Sequence, residues 1–142
     1  MFLGLMVTFL GARDITRMES NYHSFEDLWI WKEAMQICFE VYDCMKECRD
    51  FKLRDQMCDS SVSMPSNIAE GFELNTDRAF IRHLYISKGS GGELRTQMYI
   101  AIRQHYVSEN RGNQLVNRIK RWAGAMQKFI EARKKSTLRN PT

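Results

Sequence analysis

The sequence predicts an all-α protein, an antiparallel up-and-down four-helix bundle, and three observations lead to this fold class. The 142-residue chain contains only two prolines and eight glycines, together with many long-chain residues that favour helix. Four of its segments repeat apolar residues every three or four positions, which places them on one face of a helix. The connections between these segments are short, so successive helices are expected to be antiparallel neighbours.

The chain has the length of one domain, and we place the bundle at residues 24–136, with a flexible tail at residues 137–142. No segment approaches the roughly 18 consecutive apolar residues of a membrane span. The sequence therefore predicts a protein that has no membrane partner and is located in the cytoplasm.

Residues 1–23 precede the first helical pattern. They begin with an apolar run, Met1–Leu10, but the basic residues Arg13 and Arg17 follow this run, whereas a secretory signal carries them before it. Met18 then begins a segment with the features of a natural start. We expect residues 1–23 to be a disordered leader or a misassigned start, the alternative being a short leader that associates with a membrane.

The first helical segment covers residues 25–49, where Ser24 can cap the helix and Asp27 completes an imperfect capping box. Its apolar stripe consists of Leu28, Trp31, Met35, Cys38, Tyr42 and Met45, and Ala34 and Val41 widen it. Some apolar residues lie off the main stripes and are expected to be exposed, where they could form subunit contacts. These are Trp29, Ile37 and Tyr99.

The second segment runs from about Leu53 to Phe72. Pro65 lies inside it and predicts a kink or a local break, because proline lacks the amide hydrogen and clashes with the preceding turn. Gly71 is the expected end of this helix.

The third segment starts at Thr76 or Asp77 and has the clearest stripe, which consists of Phe80, Leu84, Ser87, Gly91, Leu94, Met98 and Ala101. Its middle contains Gly89, Ser90, Gly91 and Gly92. Because each glycine inside a helix costs about 0.5–1 kcal/mol relative to alanine, this composition predicts a close approach to the helix backbone. The expected neighbours are the small residues Ser60, Ser61 and Ser63. A phosphate-binding loop is disfavoured, since no strand precedes the glycines and no lysine–serine pair follows them.

The fourth segment, roughly residues 110–135, combines an apolar stripe with a strong positive charge. The stripe consists of Leu115, Ile119, Trp122, Met126 and Phe129. Residues 110–142 contain nine Lys/Arg and one acid, Glu131, whereas the rest of the chain holds 12 basic and 16 acidic residues. Arg121, Lys128 and Lys135 lie seven residues apart, away from the stripe, and form what we call the basic ridge.

The basic ridge is suited to binding phosphates, with affinity gained from counterion release. The candidate nucleic-acid-binding residues are Arg118, Lys120, Arg121, Lys128, Lys134 and Lys135. Aromatic residues are scarce on the ridge, which favours structured or duplex nucleic acid held by its backbone over single strands recognised by stacking. The alternative is a solvated face that pairs with an acidic surface of a neighbouring subunit.

The sequence shows no catalytic or cofactor motif. The histidines His23, His83 and His105 fall in no catalytic spacing, and HExxH, GxSxG, Walker and dinucleotide motifs are missing. The glutamates spaced by seven, Glu33, Glu40 and Glu47, lack the Glu-x-x-His pairs of di-iron bundles. The cysteines Cys38, Cys44, Cys48 and Cys58 have no partner histidine or second pair for zinc and are expected to be reduced. We therefore expect no enzymatic activity, no metal and no cofactor, with a ligand- or metal-binding bundle as a weak alternative.

Three motifs resemble one protein family. They are FEDLWIWKEAMQICFEVY at residues 25–42, SVSMPSNIAEG at residues 61–71 and FIRHLYISKGSGGELRTQMYIA at residues 80–101. Together they resemble the bacterial proteins encoded by intervening sequences within 23S ribosomal RNA genes, which are similar to the accessory variability determinants of diversity-generating retroelements. The resemblance covers roughly residues 24–133. The family-motif residues are Asn67, Glu70, Gly71, Gly89, Ser90 and Glu93.

The resemblance implies a four-helix subunit, assembly into a homopentamer and a basic surface suited to RNA or DNA, with no established catalysis. The polar motif residues Asn67, Glu70 and Glu93 are expected to form helix caps and interhelical hydrogen bonds rather than a binding site. The chain departs from the family pattern at Asp59 and Ser60, where a basic residue followed by alanine is usual. If that basic position contacts nucleic acid in relatives, binding here depends more heavily on the fourth helix.

The function expected from these observations is a non-catalytic homo-oligomer that binds RNA or DNA through the basic face of its last helix. The alternative is a structural or adaptor protein that docks on an acidic protein partner, such as a reverse transcriptase.

Overall fold

The computed structural model describes residues 22–139, which form a short 3-10 helix and four α-helices, with no strand among these residues. The 3-10 helix is Phe25–Asp27, and the α-helices are α1 (Trp29–Met45), α2 (Phe51–Glu73), α3 (Asp77–Arg103) and α4 (Glu109–Arg139). Each helix packs against the next along the chain, and α4 packs back against α1. The predicted four-helix bundle is thereby confirmed, with α2 and α4 at opposite corners.

Side-chain caps fix the start of two helices. The Thr76 hydroxyl accepts a hydrogen bond from the Ala79 amide at 3.2 Å, which confirms the predicted start of α3. Asp50 accepts from the Leu53 amide at 3.0 Å at the start of α2. The first helix differs from the prediction, because the segment after Ser24 forms the 3-10 helix and α1 begins only at Trp29.

Helix α2 is continuous through Pro65, so the predicted local break does not occur. Met64 and Ile68 on either side of the proline are fully buried, and the Ser87 hydroxyl donates to the Met64 carbonyl at 2.7 Å. These contacts with the rest of the bundle hold the turn in helical form despite the missing amide. The predicted end at Gly71 is also wrong. The helix continues to Glu73, and Asn75 turns the chain with a left-handed φ of 55°.

The predicted stripes of α3 and α4 are confirmed, since every residue in them is buried. The stripe predicted for α1 is correct in part, since Leu28, Ala34, Cys38, Val41 and Met45 are buried. Tyr42 is exposed, whereas Ile37, expected at the surface, is fully buried beside Ala34 and Val41. Because α1 is apolar over most of its circumference, its sequence allows more than one rotation, and the smaller aliphatic side chains occupy the core. Of the other off-stripe residues, Trp29 is half-buried and Tyr99 is exposed.

The glycines of α3 have different surroundings. A Cβ built on Gly91 would lie 2.7 Å from the Trp122 ring, so the predicted close approach is correct there, but an α4 side chain makes it. Gly89 and Gly92 have no atom within 4 Å of such a Cβ. The expected serine contacts between α2 and α3 do form, as in the 2.8 Å hydrogen bond between the Ser63 and Ser90 hydroxyls.

The C-terminal helix is longer than the sequence predicted. It continues to Arg139, so residues 137–139, which we assigned to the tail, are helical. Thr137 donates a 3.0 Å hydrogen bond to Asp77 at the start of α3. The leader assigned to residues 1–23 lies almost wholly outside the described residues. No helix between residues 22 and 139 combines the length and apolarity that crossing a membrane would need.

Candidate nucleic-acid interface

The basic ridge lies on the outer face of α4. Arg121, Lys128 and Lys135 are all exposed, and none of them forms a salt bridge within residues 22–139. Gly124 lies between the first two, with no atom within 4 Å of a Cβ built on it. The ridge is therefore a row of cations without salt-bridge partners in this part of the chain, and Gly124 adds no side chain between the first two.

Arg118 lies elsewhere, in the contact between α4 and α1. Its Nε donates to Glu33 Oε1 at 2.5 Å, its Nη2 donates to Glu33 Oε2 at 3.1 Å, and its Nη1 donates to Glu40. Hydrogen bonding to Glu33, reinforced by the charges of both carboxylates, raises the pKa of the guanidinium against the effect of burial. In the sequence, the seven-residue spacing of Glu33 and Glu40 indicated that the two carboxylates lie on one face of α1.

This ion pair supports a stability prediction. Replacing Arg118 with methionine is expected to lower the free energy of unfolding by about 1–2 kcal/mol, because Glu33 would be left largely buried without its partner. Chemical denaturation followed by circular dichroism measures the loss. The matched control is Arg121→Met on the exposed ridge, which should stay within about 0.5 kcal/mol of wild type. Equal losses in the two variants would contradict the assignment.

Of the other two predicted cations, Lys134 contacts α3, and Lys120 lies fourteen residues before it on the same side of α4. Lys134 Nζ donates to the Tyr85 hydroxyl at 2.7 Å and lies 4.8 Å from the centre of that ring. Lys120 is exposed and forms no salt bridge within the described residues. The predicted set thus divides into the outer ridge, the pair Lys120 and Lys134, and the neutralised Arg118.

Exposed carboxylates also lie on the helix across the bundle from the ridge. Helix α2 exposes Asp55, Asp59, Glu70 and Glu73. Because α2 and α4 occupy opposite corners, these carboxylates lie across the bundle from the ridge. The four carboxylates therefore make no contact with the ridge.

The polar family-motif residues lie between α2 and α3. Asn67 Nδ2 donates to the Ser63 carbonyl at 2.9 Å and to the Ser63 hydroxyl at 3.0 Å. Ser63 in turn is hydrogen-bonded to Ser90. The hydrogen bonds of Asn67 therefore stay within α2, and only the bond between Ser63 and Ser90 joins α2 to α3.

The remaining motif residues have separate environments. Glu93 lines a groove of ≈ 260 Å³ together with Asp59 and Ser60, the two departures from the family pattern. Glu70 is exposed, with its carboxylate 3.6 Å from His83 Nε2. A Cβ on Gly71 would lie 2.6 Å from His83 Cβ, so this glycine allows α2 and α3 to approach. The structure therefore does not bring the motif residues and the basic residues into one site.

The cysteines are free thiols. Burial raises the pKa of Cys44 to about 11 and also raises the pKa of Cys58. Among the described residues, no group of three or more His, Cys, Asp or Glu side chains is placed to hold a metal ion.

Comparison with models of protein families gives a match over most of the chain. A family model described as "23S rRNA-intervening sequence protein" matches residues 26–128. A comparison with curated proteins finds no match. The matched range begins in the 3-10 helix and ends within α4, so it includes α1, α2, α3 and most of the basic ridge.

Proposed function

Since the chain belongs to the family of 23S rRNA-intervening sequence proteins, we propose that it is a non-catalytic, homo-oligomeric helical bundle that binds the nucleic-acid backbone, RNA in particular. The binding surface is the basic face of α4. The contact residues are Lys120, Arg121, Lys128, Lys134 and Lys135. Arg118 is left out, because Glu33 and Glu40 already neutralise it.

The observation that carries the proposal is the unpaired charge of the ridge. Three exposed cations follow one another along α4 at intervals of seven residues, about 10 Å each, so the ridge extends over about 21 Å. No carboxylate of residues 22–139 forms a salt bridge with them, although four exposed acids lie on α2. A surface that keeps its cations unpaired gains binding energy when phosphates displace its counterions.

Self-association is supported by exposed apolar side chains on α1 and α2. Phe39, Tyr42 and Val62 are all at least two-fifths exposed, which is unusual for a cluster of large apolar residues on a monomer. A second copy would cover them. The pentameric state is proposed from the resemblance alone, and a ring would place several basic ridges on one particle.

The test is equilibrium binding of a structured RNA and of duplex DNA, repeated at several salt concentrations. The double variant Arg121→Glu/Lys128→Glu is expected to bind about tenfold more weakly at moderate salt, with a shallower dependence of log affinity on log salt concentration. The matched control, Lys52→Glu/Arg78→Glu, makes the same change in net charge at exposed positions on α2 and α3. It should retain most of the wild-type affinity.

Equal losses in both double variants would show that net charge, not the ridge, controls binding. No binding by the wild-type protein even at low salt would overturn the nucleic-acid function. The basic face would then be assigned to an acidic protein partner, such as a reverse transcriptase.

A further inference from the structure

We propose that the surface along the contact between α3 and α4 binds a single-stranded segment of nucleic acid, with the Tyr99 ring as a stacking platform for a base. This inference rests on the proposed function and deepens it, because it names a second contact surface and its ligand class. The ridge alone offers no ring for stacking. The exposed Tyr99 ring of α3, the helix that packs beside α4, provides an aromatic surface.

A line of α3 residues runs beside α4. Its members are three or four positions apart and therefore share one side of the helix. They are Tyr85, Lys88, Gly92, Arg95 and Tyr99. Two hydrogen bonds fix this side against α4, one from Lys88 Nζ to Gln127 at 2.6 Å and the other from Lys134 to Tyr85. From Tyr85 to Tyr99 the line is about 21 Å long.

The antiparallel register brings a cation of α4 to the same level as Arg95. Lys88 is bonded to Gln127, and Arg95 lies seven residues further along α3. In antiparallel helices, seven residues forward on one helix correspond to seven residues back on the other. Lys120, which lies seven residues before Gln127 on α4, is therefore level with Arg95. Lys88, Arg95, Lys120 and Lys134 therefore border one surface, which we call the α3/α4 groove.

The charge of the α3/α4 groove is largely uncompensated. None of its four cations forms a salt bridge within residues 22–139. Arg95 is partly buried, and its Nε has no hydrogen-bond partner in this part of the chain. A nearby acid, Glu131, accepts a 3.0 Å hydrogen bond from Gln127. An unpaired, partly buried guanidinium is costly, and a bound phosphate would neutralise it.

Tyr99 is available for stacking. Its side chain is 47% exposed, and within the described residues its ring makes no aromatic or cation–π contact. Tyr85, by contrast, has Lys134 over its ring. Gly92 adds no side chain between Lys88 and Arg95, and no atom lies within 4 Å of a Cβ built there. The groove is thus open between its cations and ends at an uncovered ring.

A single strand fits this combination better than a duplex does. Base–aromatic stacking requires a base with a free face, which single strands offer and a continuous duplex does not. The cations of the groove would hold the phosphates on either side of the stacked base. Because the ridge lies on the neighbouring face of α4, one RNA molecule with a helix and an adjoining single strand can contact both surfaces.

The experiment compares two fluorescent probes, a short oligouridylate and a blunt RNA duplex, with the full chain. Tyr99→Ala is expected to weaken oligouridylate binding about tenfold, within the range of a lost stacking contact, and to leave duplex binding unchanged. Tyr99→Phe keeps the ring and should retain wild-type affinity. The matched control is Tyr106→Ala, because Tyr106 is also an exposed tyrosine but lies beside Asp50 at the start of α2. It should bind both probes as the wild type does.

The outcomes separate this inference from the proposed function. Duplex binding without oligouridylate binding would overturn the stacking site and leave the ridge standing. Failure to bind either probe would remove both. Tyr99 was also expected from the sequence to form a subunit contact, so each variant is examined by sedimentation. A change in subunit number in Tyr99→Ala would assign the ring to self-association and overturn the stacking site.

Discussion

Replacing Trp122 with alanine is expected to lower the free energy of unfolding by about 3–5 kcal/mol. Trp122 is completely buried in α4, and its Nε1 donates a 2.9 Å hydrogen bond to the Ile30 carbonyl of α1. Its ring also fills the space over Gly91 of α3. Truncation would therefore remove contacts with two other helices and leave a large cavity at the centre of the bundle.

Trp122→Phe is the informative control. It keeps an aromatic ring but loses the indole N–H, so its loss of stability should be clearly smaller than that of the alanine variant. Denaturation should be repeated at several protein concentrations, because dissociation of an oligomer would add to the measured stability. A loss below about 1 kcal/mol in Trp122→Ala would contradict the central position of this side chain.

Replacing Gly71 with alanine is expected to destabilise the protein by about 2–3 kcal/mol through overpacking, although alanine favours helix over glycine. A Cβ at this position would lie 2.6 Å from His83 Cβ and 3.2 Å from a Phe80 ring atom. His83 Cβ is attached directly to the backbone of α3 and cannot rotate away. The two helices would have to separate, and thermal or chemical unfolding measures the cost.

Replacing Gly89, another glycine of the family motifs, with alanine is expected to have the opposite effect on stability. Gly89 is exposed and helical, with nothing within 4 Å of a built Cβ. In an isolated subunit, Gly89→Ala should therefore raise the free energy of unfolding by about 0.5–1 kcal/mol. Destabilisation by both substitutions would mean that a neighbour outside the described chain occupies the surface at Gly89.

The sequence was sufficient to predict the buried face of a helix that has a single narrow apolar stripe. In α3 and α4 the polar residues exclude every rotation but one, and all residues of both predicted stripes are buried. In α1, Ile37 and Tyr42 exchanged their expected places, because apolar residues surround most of that helix and periodicity cannot select the face. Of the kink or local break predicted at Pro65, the break is absent, since local propensity takes no account of the tertiary contacts that keep α2 helical.

The candidate site shows the same division. The charge of α4 and the direction of its ridge could be read from residue spacing, because both are properties of one helix. The ion pairs between helices could not be predicted from residue spacing, because they depend on how the helices pack. Arg118 and Arg121 are both arginines of the basic last helix, and their spacing does not indicate which of them is paired. Glu33 and Glu40 of α1 neutralise only Arg118.

The sequence by itself determined the four-helix fold, the family and the basic last helix, since composition, motifs and periodicity act within single segments. The tertiary structure decided which cations remain unpaired, that the exposed carboxylates of α2 lie across the bundle from the ridge, and that Lys88 of α3 contacts Gln127 of α4. These features depend on distances between residues far apart in the chain. Helix packing sets those distances, through contacts as specific as Trp122 over Gly91.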